Sequence, residues 1–190
     1  MTQPLVVALT GATGMIYGVE MLKVLKQLSI PTHLIVSESA AISIGIETDM
    51  TVRDVKALAD VVYSNKDLAA AVSSGSFKTQ GMIVAPCTIK SLSGIANSYN
   101  DNLVTRAADV TLKERRKLVL MVREAPLHKG HLELMTKAVD LGAVILPPMP
   151  AFYHGPQTIL DIVHQSVGKV LDQFDIEHNL FESWKGGGNG

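Results

Sequence analysis

Short apolar runs alternate along the chain with longer segments in which apolar residues recur every three or four positions. Runs of three to five aliphatic residues are typical of buried strands, and the recurring spacing is typical of helices that pack on a sheet. The predicted strands are 5–9, 33–36, 82–85, 118–122 and 144–146. The predicted helices are 15–28, pieces of 38–60, 89–97, 103–114, 131–140 and 157–173. Within 38–60, Thr51 is the predicted N-cap of a helix that ends at Ala59.

The predicted strands are apolar on both faces, and helices separate them along the chain. A parallel sheet that is covered by helices on both faces has this pattern. We therefore predict a three-layer α/β domain of the Rossmann or flavodoxin type with a mainly parallel sheet. This single domain spans 1–185, and the Gly-rich tail 186–190 is predicted to be flexible.

The composition narrows the class of protein further. Of 190 residues, 47% are hydrophobic and 18% are charged, which excludes an intrinsically disordered chain. The net charge of −1 offers no general field for nucleic acid or an anionic membrane, so an anion site has to be local. The single cysteine, Cys87, excludes an internal disulfide and a cysteine-based zinc site, and the histidines show no metal spacing. We expect a soluble cytoplasmic protein without a metal.

Polar residues follow the predicted strands at the points where ligands bind in open α/β sheets, beyond the carboxyl ends of the strands. Glycines, hydroxyls and basic groups gather there, in Gly11-Ala12-Thr13-Gly14, Ser37, Thr88-Ile89-Lys90-Ser91, Arg123-Glu124 and Tyr153-His154. The N-termini of the helices that follow offer backbone N–H groups to a phosphate. The sequence therefore predicts a ligand that carries a phosphate.

The first of these loops does not have the dinucleotide-binding pattern. Thr13 stands where the motif G-x-G-x-x-G has its second glycine, and the second strand is followed by Ser37 instead of an acidic residue for a ribose hydroxyl. A short loop with a hydroxyl suits a single phosphate or the edge of an isoalloxazine ring better. An NAD-dependent oxidoreductase is thus the least favoured class.

Three sets of residues allow both a structural and a functional interpretation. Arg106 and Lys113 are two helical turns apart, about 10 Å on one face, with Asp109 between them, which fits a salt-bridged surface or a phosphate site. The pair Arg123-Glu124 directly follows a buried strand, where charges are usually functional or strongly paired. Tyr153 and Trp184 belong to a small aromatic set that packs the C-terminal segment or covers a ligand.

Several motifs together resemble one known family, the flavin prenyltransferases of the UbiX/Pad type. They occur in order over about residues 5–184, in Thr10–Gly18, Glu47–Asp49, Ser73–Phe77, Pro86–Leu92, Asn102–Arg116, Arg123–Pro126 and Pro150–His154. Members of this family join a dimethylallyl group from dimethylallyl phosphate or pyrophosphate to N5 and C6 of reduced FMN. The prenylated FMN then serves a UbiD-type decarboxylase of aromatic acids. The resemblance also implies a homo-oligomer, often a dodecamer, with active sites at subunit junctions.

The resemblance implies roles for individual residues. FMN would be bound by Gly11, Ala12, Thr13, Ser37, Thr88, Ile89, Lys90, Ser91 and Arg123. The prenyl phosphate would be bound by Arg106, Lys113, Glu124, Tyr153, Lys169 and Trp184. The implied catalytic residues are Glu47, Thr13, Glu124, Arg106 and Lys113, with Glu47 as the group that takes up a proton. Lys169 departs from the family pattern, which has an arginine there, and so loses a bidentate fork for phosphate.

Two alternatives remain beside the prenyltransferase. A flavin-dependent cysteine decarboxylase of the same fold would carry a Pro-x-Met-Asn segment, whereas this chain has Pro147-Pro-Met-Pro150 without the asparagine. A non-catalytic, flavin-binding accessory subunit of a decarboxylase would not need Glu47 together with a full set of phosphate-binding cations.

Overall fold

Six parallel strands form a single sheet in the order β3-β2-β1-β4-β5-β6. The computed structural model describes residues 3–182, Trp184 and Gly186. The strands are β1 Leu5–Leu9, β2 Thr32–Val36, β3 Val61–Ser64, β4 Gly81–Cys87, β5 Lys117–Val122 and β6 Ala143–Ile145. This sheet confirms the predicted α/β fold with a parallel sheet.

Within the described part of the chain, seven α-helices cover the two faces of the sheet. They are α1 Met15–Gln27, α2 Glu38–Glu47, α3 Val52–Lys56, α4 Ile89–Ala96, α5 Leu103–Lys113, α6 Lys129–Asp140 and α7 Ile159–Asp172, with a short 3₁₀ turn at Ala71–Ser73. Alternate strand residues pack on opposite layers: Leu5, Val7 and Leu9 face α1, α2, α3 and α7, whereas Val6 and Ala8 face α4, α5 and α6. Both layers are therefore closed by buried aliphatic side chains, and the polar residues are left to the ends of the strands.

The structure differs from the sequence prediction in three local features. The helix that Thr51 caps starts as predicted, with a capping box, but it ends at Lys56 instead of Ala59. The edge strand β3 was not predicted, since it is short and its Val61 and Val62 are exposed. The predicted end of the strand at Ala85 is also wrong, because β4 continues through Pro86 with a shifted register against β5.

The helices that follow the neighbouring strands β1 and β4 lie on opposite faces of the sheet. The chain leaves β1 into α1 on one layer and leaves β4 into α4 on the other, so the two loops diverge and open a crevice between them. Thr10 joins the two loops, because its Oγ1 donates to Pro86 O at 2.7 Å and accepts from Thr88 N at 2.9 Å. Gly18 lets α1 approach β4, since a Cβ there would lie 2.3 Å from Ala85 O. This crevice is the expected ligand site of the fold.

Within the described residues no helix is both long and apolar enough to cross a membrane. The predicted flexible tail is described only at Gly186, and 187–190 lie outside the described residues. The domain boundary at residue 185 stays a prediction.

Candidate functional site

The crevice opens at the edge of the sheet where all six strands end. We call this edge the carboxyl edge. Helices α2 and α4 begin there, directly after β2 and β4, with Ser37 and Thr88 as their N-caps. Ser37 Oγ accepts from Ala40 N at 3.1 Å, and Thr88 Oγ1 accepts from Ser91 N at 3.0 Å. Two positive helix ends and several hydroxyls therefore face one space, which suits an anionic ligand.

This space, the central cleft, has a volume of about 560 Å³. Its hydroxyl and ammonium lining consists of Thr10, Ser37, Ser39, Thr88, Lys90, Ser91 and further residues of α4 and α5. Gly11 lies against the first turn of α2, because a Cβ there would be 2.3 Å from the Cβ of Ser39, so that glycine allows the first loop and α2 to approach each other. Of the predicted FMN residues, Ser37, Thr88, Lys90 and Ser91 line this cleft, whereas Ala12 and Ile89 are not part of its lining.

A second space, the Arg123 cleft, adjoins the same first loop and has a volume of about 440 Å³. Its lining consists of Thr13, Gly14, Tyr17, Val122, Arg123, Glu124, Ala125 and Pro147–Met149. Arg123 continues the edge beyond β5, with its backbone N–H donating to Cys87 O at 3.0 Å. Burial raises the pKa of the Tyr17 phenol, and the nearby Arg123 guanidinium opposes this shift without cancelling it. Thr13, Arg123 and Glu124 are thereby gathered as predicted.

Glu47 lies at the boundary between the first loop and helix α1. Its Oε2 accepts hydrogen bonds from Gly14 N at 2.7 Å and from Met15 N at 2.9 Å. Helix α2 starts and ends at the carboxyl edge, which returns its last residue to the beginning of α1. The sequence prediction that helix starts offer their N–H groups to a phosphate is therefore wrong for α1, where Glu47 accepts two of them. Glu47 Oε1 has no hydrogen-bond partner among the described residues.

Arg106 and Lys113 do not line either cleft. Helix α5 begins at the carboxyl edge, where Leu103 N and Val104 N donate to Asn65, and runs back toward the start of β5. Lys113 is its last residue and lies at the opposite edge of the sheet. The salt-bridged interpretation holds for Arg106, whose Nη1 is 3.4 Å from Asp109 Oδ2, whereas Lys113 pairs with Glu114 at 2.6 Å instead.

Tyr153, Lys169 and Trp184 do not line either cleft. The Tyr153 and Trp184 rings meet edge to face with centroids 6.0 Å apart. Lys169 is exposed one turn before the end of α7, and its Nζ is 2.8 Å from Asp172 Oδ2. One chain therefore brings most of the predicted FMN residues to two neighbouring clefts, whereas most of the predicted prenyl-phosphate residues line neither cleft.

Several lining residues of the clefts were missed by sequence reasoning, among them Thr10, Ser39 and Tyr17. Thr10 is the first polar residue after a buried strand, and Ser39 follows the N-cap of α2, so both positions were available as signals. Tyr17 lies on the first turn of α1, where the helical pattern alone gave no reason to separate it from packing residues.

Comparison with known proteins identifies the family of this chain. The chain matches the Flavoprotein family over residues 1–171. It is 56% identical over 185 residues to the flavin prenyltransferase UbiX of Salmonella typhimurium. The alignment covers 96% of this chain and 98% of that protein. The chain belongs to the flavin prenyltransferase family.

Two solved structures extend this family relationship to three dimensions. The crystal structure of AnUbiX in complex with FMN and dimethylallyl pyrophosphate has 48% identity and a TM-score of 0.96, covering 98% of this chain and 99% of that one. A dodecameric, FMN-dependent UbiX-like decarboxylase from Escherichia coli O157:H7 has 51% identity and a TM-score of 0.94, covering 96% of this chain and all of that one. The flavin prenyltransferase fold thus extends over nearly the whole chain.

Proposed function

We propose that this protein transfers a dimethylallyl group from dimethylallyl phosphate or pyrophosphate to N5 and C6 of reduced FMN. One observation carries the proposal: the relative with a TM-score of 0.96 over 98% of this chain is described in complex with FMN and dimethylallyl pyrophosphate. The product is prenylated FMN, and the enzyme is a metal-independent prenyltransferase.

The residues of the crevice fit FMN. The central cleft and the Arg123 cleft lie within the range of cofactor sites and share the first loop as a wall. The capped starts of α2 and α4 suit the phosphate of FMN. We propose that FMN is held by Gly11, Ala12, Thr13, Ser37, Thr88, Ile89, Lys90, Ser91 and Arg123. Reduced FMN supplies the nucleophilic ring atoms.

The proposed transfer breaks the C–O bond of the prenyl donor, and the phosphate departs with the bonding electrons. Fixed cations stabilise that leaving charge without a metal ion, which is the role proposed for Arg106, Lys113 and Lys169. Glu47 takes up a proton released from the ring at its Oε1, while Gly14 N and Met15 N hold its Oε2. Thr13 and Glu124 line the same cleft as Arg123 and are proposed to orient the reacting groups, with Tyr153 and Trp184 covering the prenyl chain.

A complete site is proposed to need more than one copy of the chain. The cations at Lys113 and Lys169 are distant from the clefts of their own chain, so a neighbouring copy is the natural source of them. Large apolar side chains are exposed on α2, in the 147–156 loop and at the start of α7, including Ile42 at 65%, Ile46 at 77% and Ile159 at 77%. The dodecameric relative supports a homo-oligomer of the same kind.

The proposal includes a partner and a location. Prenylated FMN would be passed to a UbiD-type decarboxylase, as the family resemblance implies. A cytoplasmic location is supported by the single, buried cysteine, since proteins of oxidising compartments commonly carry disulfides.

The proposed function is tested by mass spectrometry of the flavin. The purified protein is incubated without oxygen with reduced FMN and dimethylallyl phosphate, and separately with the pyrophosphate. We expect the FMN mass to rise by one dimethylallyl group in at least one of the two reactions, and the Glu47→Gln variant to show a much slower rise. Unchanged FMN in both reactions would contradict the proposal, and activation of a decarboxylase in that case would favour the accessory subunit.

A further inference from the structure

The segment 73–77, which precedes β4, is bound by two arginines, Arg106 in the first turn of α5 and Arg116 just beyond its end. Arg106 Nε donates to Ser73 O at 3.1 Å. Arg116 Nη2 donates to Gly75 O at 2.7 Å, and its Nη1 donates to Phe77 O at 2.8 Å. The Arg116 side chain is only 12% exposed, and besides these carbonyls its Nη2 lies 4.0 Å from Glu114 Oε2. Its guanidinium thus holds both ends of a short turn.

The way in which α5 ends determines where Arg116 points. Arg116 N donates to Thr111 O and Arg115 N donates to Leu112 O, both at 2.9 Å, and Arg115 has a φ of 53°. These are the hydrogen bonds of a Schellman motif, with Arg115 as its left-handed residue. The motif leaves Arg115 exposed and turns the chain so that Arg116 reaches the segment 73–77.

Gly75 lies against the ion pair between Lys113 and Glu114. A Cβ at Gly75 would be 2.1 Å from Glu114 Oε1 and 2.7 Å from Lys113 Nζ, so the absence of a side chain makes the space for this pair. Chiefly a hydrogen bond from Lys113, with the charges of Lys113, Arg116 and Lys78, holds the pKa of the Glu114 carboxyl below its ordinary 4.5. The segment therefore contacts both cations of α5, Arg106 through Ser73 and Lys113 through Gly75.

We propose that Arg116 is a positioning residue for the prenyl phosphate: by holding the segment 73–77 through two carbonyl groups, it keeps Arg106 and Lys113 oriented on one face of α5. This inference rests on the proposed function of those two cations. Two arginine N–H groups are needed because the Gly75 and Phe77 carbonyls are separate acceptors. A lysine at this position keeps the charge but has no planar fork to span them.

The inference is tested by binding rather than by turnover. Isothermal titration calorimetry measures dimethylallyl phosphate binding to the protein loaded with oxidised FMN, for wild type, Arg116→Gln, Arg116→Lys and the matched control Arg115→Gln. We expect both Arg116 variants to bind dimethylallyl phosphate on the order of tenfold more weakly, the effect of one charged hydrogen bond. FMN affinity should stay near wild type, while the loss of two hydrogen bonds lowers the melting temperature by a few degrees, and Arg115→Gln, which removes the same charge one residue away, should bind normally.

A second variant tests the same arrangement without removing any charge. Gly75→Ala puts a methyl group where the Lys113–Glu114 pair lies, and these two side-chain ends are able to move without disturbing the backbone. We expect its affinity for dimethylallyl phosphate to fall as in Arg116→Gln. Wild-type affinity for dimethylallyl phosphate in both Arg116→Gln and Gly75→Ala would overturn the inference. It would also be overturned if Arg116→Gln lost FMN affinity in parallel while Gly75→Ala bound dimethylallyl phosphate normally. Failure of the proposed function is distinct, because the wild-type protein itself would then neither bind dimethylallyl phosphate nor prenylate FMN.

Discussion

The backbone N–H of Gly14 donates a 2.7 Å hydrogen bond to Glu47 Oε2, across 33 residues of sequence. Gly14 is the N-cap of α1 in a left-handed conformation with φ 96°, and it has no side chain with which to cap the helix itself. Glu47 therefore takes over the capping of α1, and this holds its carboxylate at the wall of the crevice.

The first prediction separates the chemical and the structural role of Glu47. Glu47→Gln keeps an oxygen acceptor for Gly14 N and Met15 N, so FMN binding and the melting temperature should change little. It loses the proton acceptor, and we expect formation of prenylated FMN to slow by about 10²-fold or more, as is typical when an acid–base group is removed. Single-turnover kinetics with mass detection measure this rate.

Glu47→Ala is the control, because it removes the cap as well. We expect it to lower the free energy of unfolding by about 1 kcal/mol in addition to the loss of rate. A Glu47→Gln protein that prenylates FMN at the wild-type rate would remove the proposed role.

A second prediction concerns the origin of the cations. If Lys113 acts in the site of a neighbouring copy, an inactive Glu47→Gln chain and an inactive Lys113→Ala chain should complement each other. Random mixed oligomers would regain roughly a quarter of the wild-type activity, since half of the sites have Glu47 and half of those receive Lys113. Co-expression with two affinity tags yields such oligomers.

The same mixture made from Glu47→Gln and Arg123→Ala chains is the control, because both residues lie at the crevice of one chain. Its site would need both wild-type residues from the same copy, so it should stay near background. Activity that stays at background in the first mixture as well would contradict a shared site.

A third prediction follows from the contact between α1 and α7. Glu20 accepts from Lys23 Nζ at 2.7 Å and lies 3.2 Å from His164 Nε2. Burial acts to raise the pKa of Glu20, but the hydrogen bonds and charges of Lys23 and His164 outweigh it and hold this pKa below its ordinary 4.5. A lowered pKa means that the carboxylate stabilises the fold above about pH 4.5 and loses this contribution as the pH falls through the folded-state pKa.

Glu20→Gln should therefore lower the free energy of unfolding by about 1 kcal/mol at pH 7, and the difference from wild type should vanish toward pH 3. Urea unfolding at a series of pH values measures it. Glu177→Gln is the matched control, since Glu177 is exposed and has no ion-pair partner among the described residues. A difference that grows as the pH falls would show the assignment to be wrong.

The fourth prediction concerns Cys87, which is fully buried in the layer of α4, α5 and α6. Burial raises the pKa of the Cys87 thiol to about 12 from an ordinary 9.0. Since the thiolate is the reactive form, its fraction at pH 8 falls by roughly a thousandfold. Iodoacetamide should label Cys87 only after unfolding in guanidinium chloride, as followed by intact mass, and rapid labelling of the native protein would contradict its burial.

The sequence by itself determined the elements whose signals are local. The aliphatic runs at 5–9 and 118–122 place β1 and β5, because burial on both faces leaves an uninterrupted apolar run. The caps at Ser37, Thr51 and Thr88 mark helix starts because a hydroxyl and the N–H that it accepts from are only three residues apart. From these elements the order of the loops at the carboxyl edge followed directly, and with it the prediction of a ligand that carries a phosphate, whereas the individual FMN residues came from the family resemblance.

Only the tertiary structure decided the relationships between distant residues. The strand β3 forms because β2 offers it an unpaired edge, although its own exposed valines give no pattern. Glu47 meets Gly14 because α2 starts and ends at one edge of the sheet, which no local spacing predicts. Lys113 lies at the opposite edge because β5 is parallel to β4, so that α5 has to carry the chain back from the carboxyl edge to the edge where the strands begin. Helical spacing specifies which residues share a face, but the direction of the helix across the sheet specifies which edge they reach.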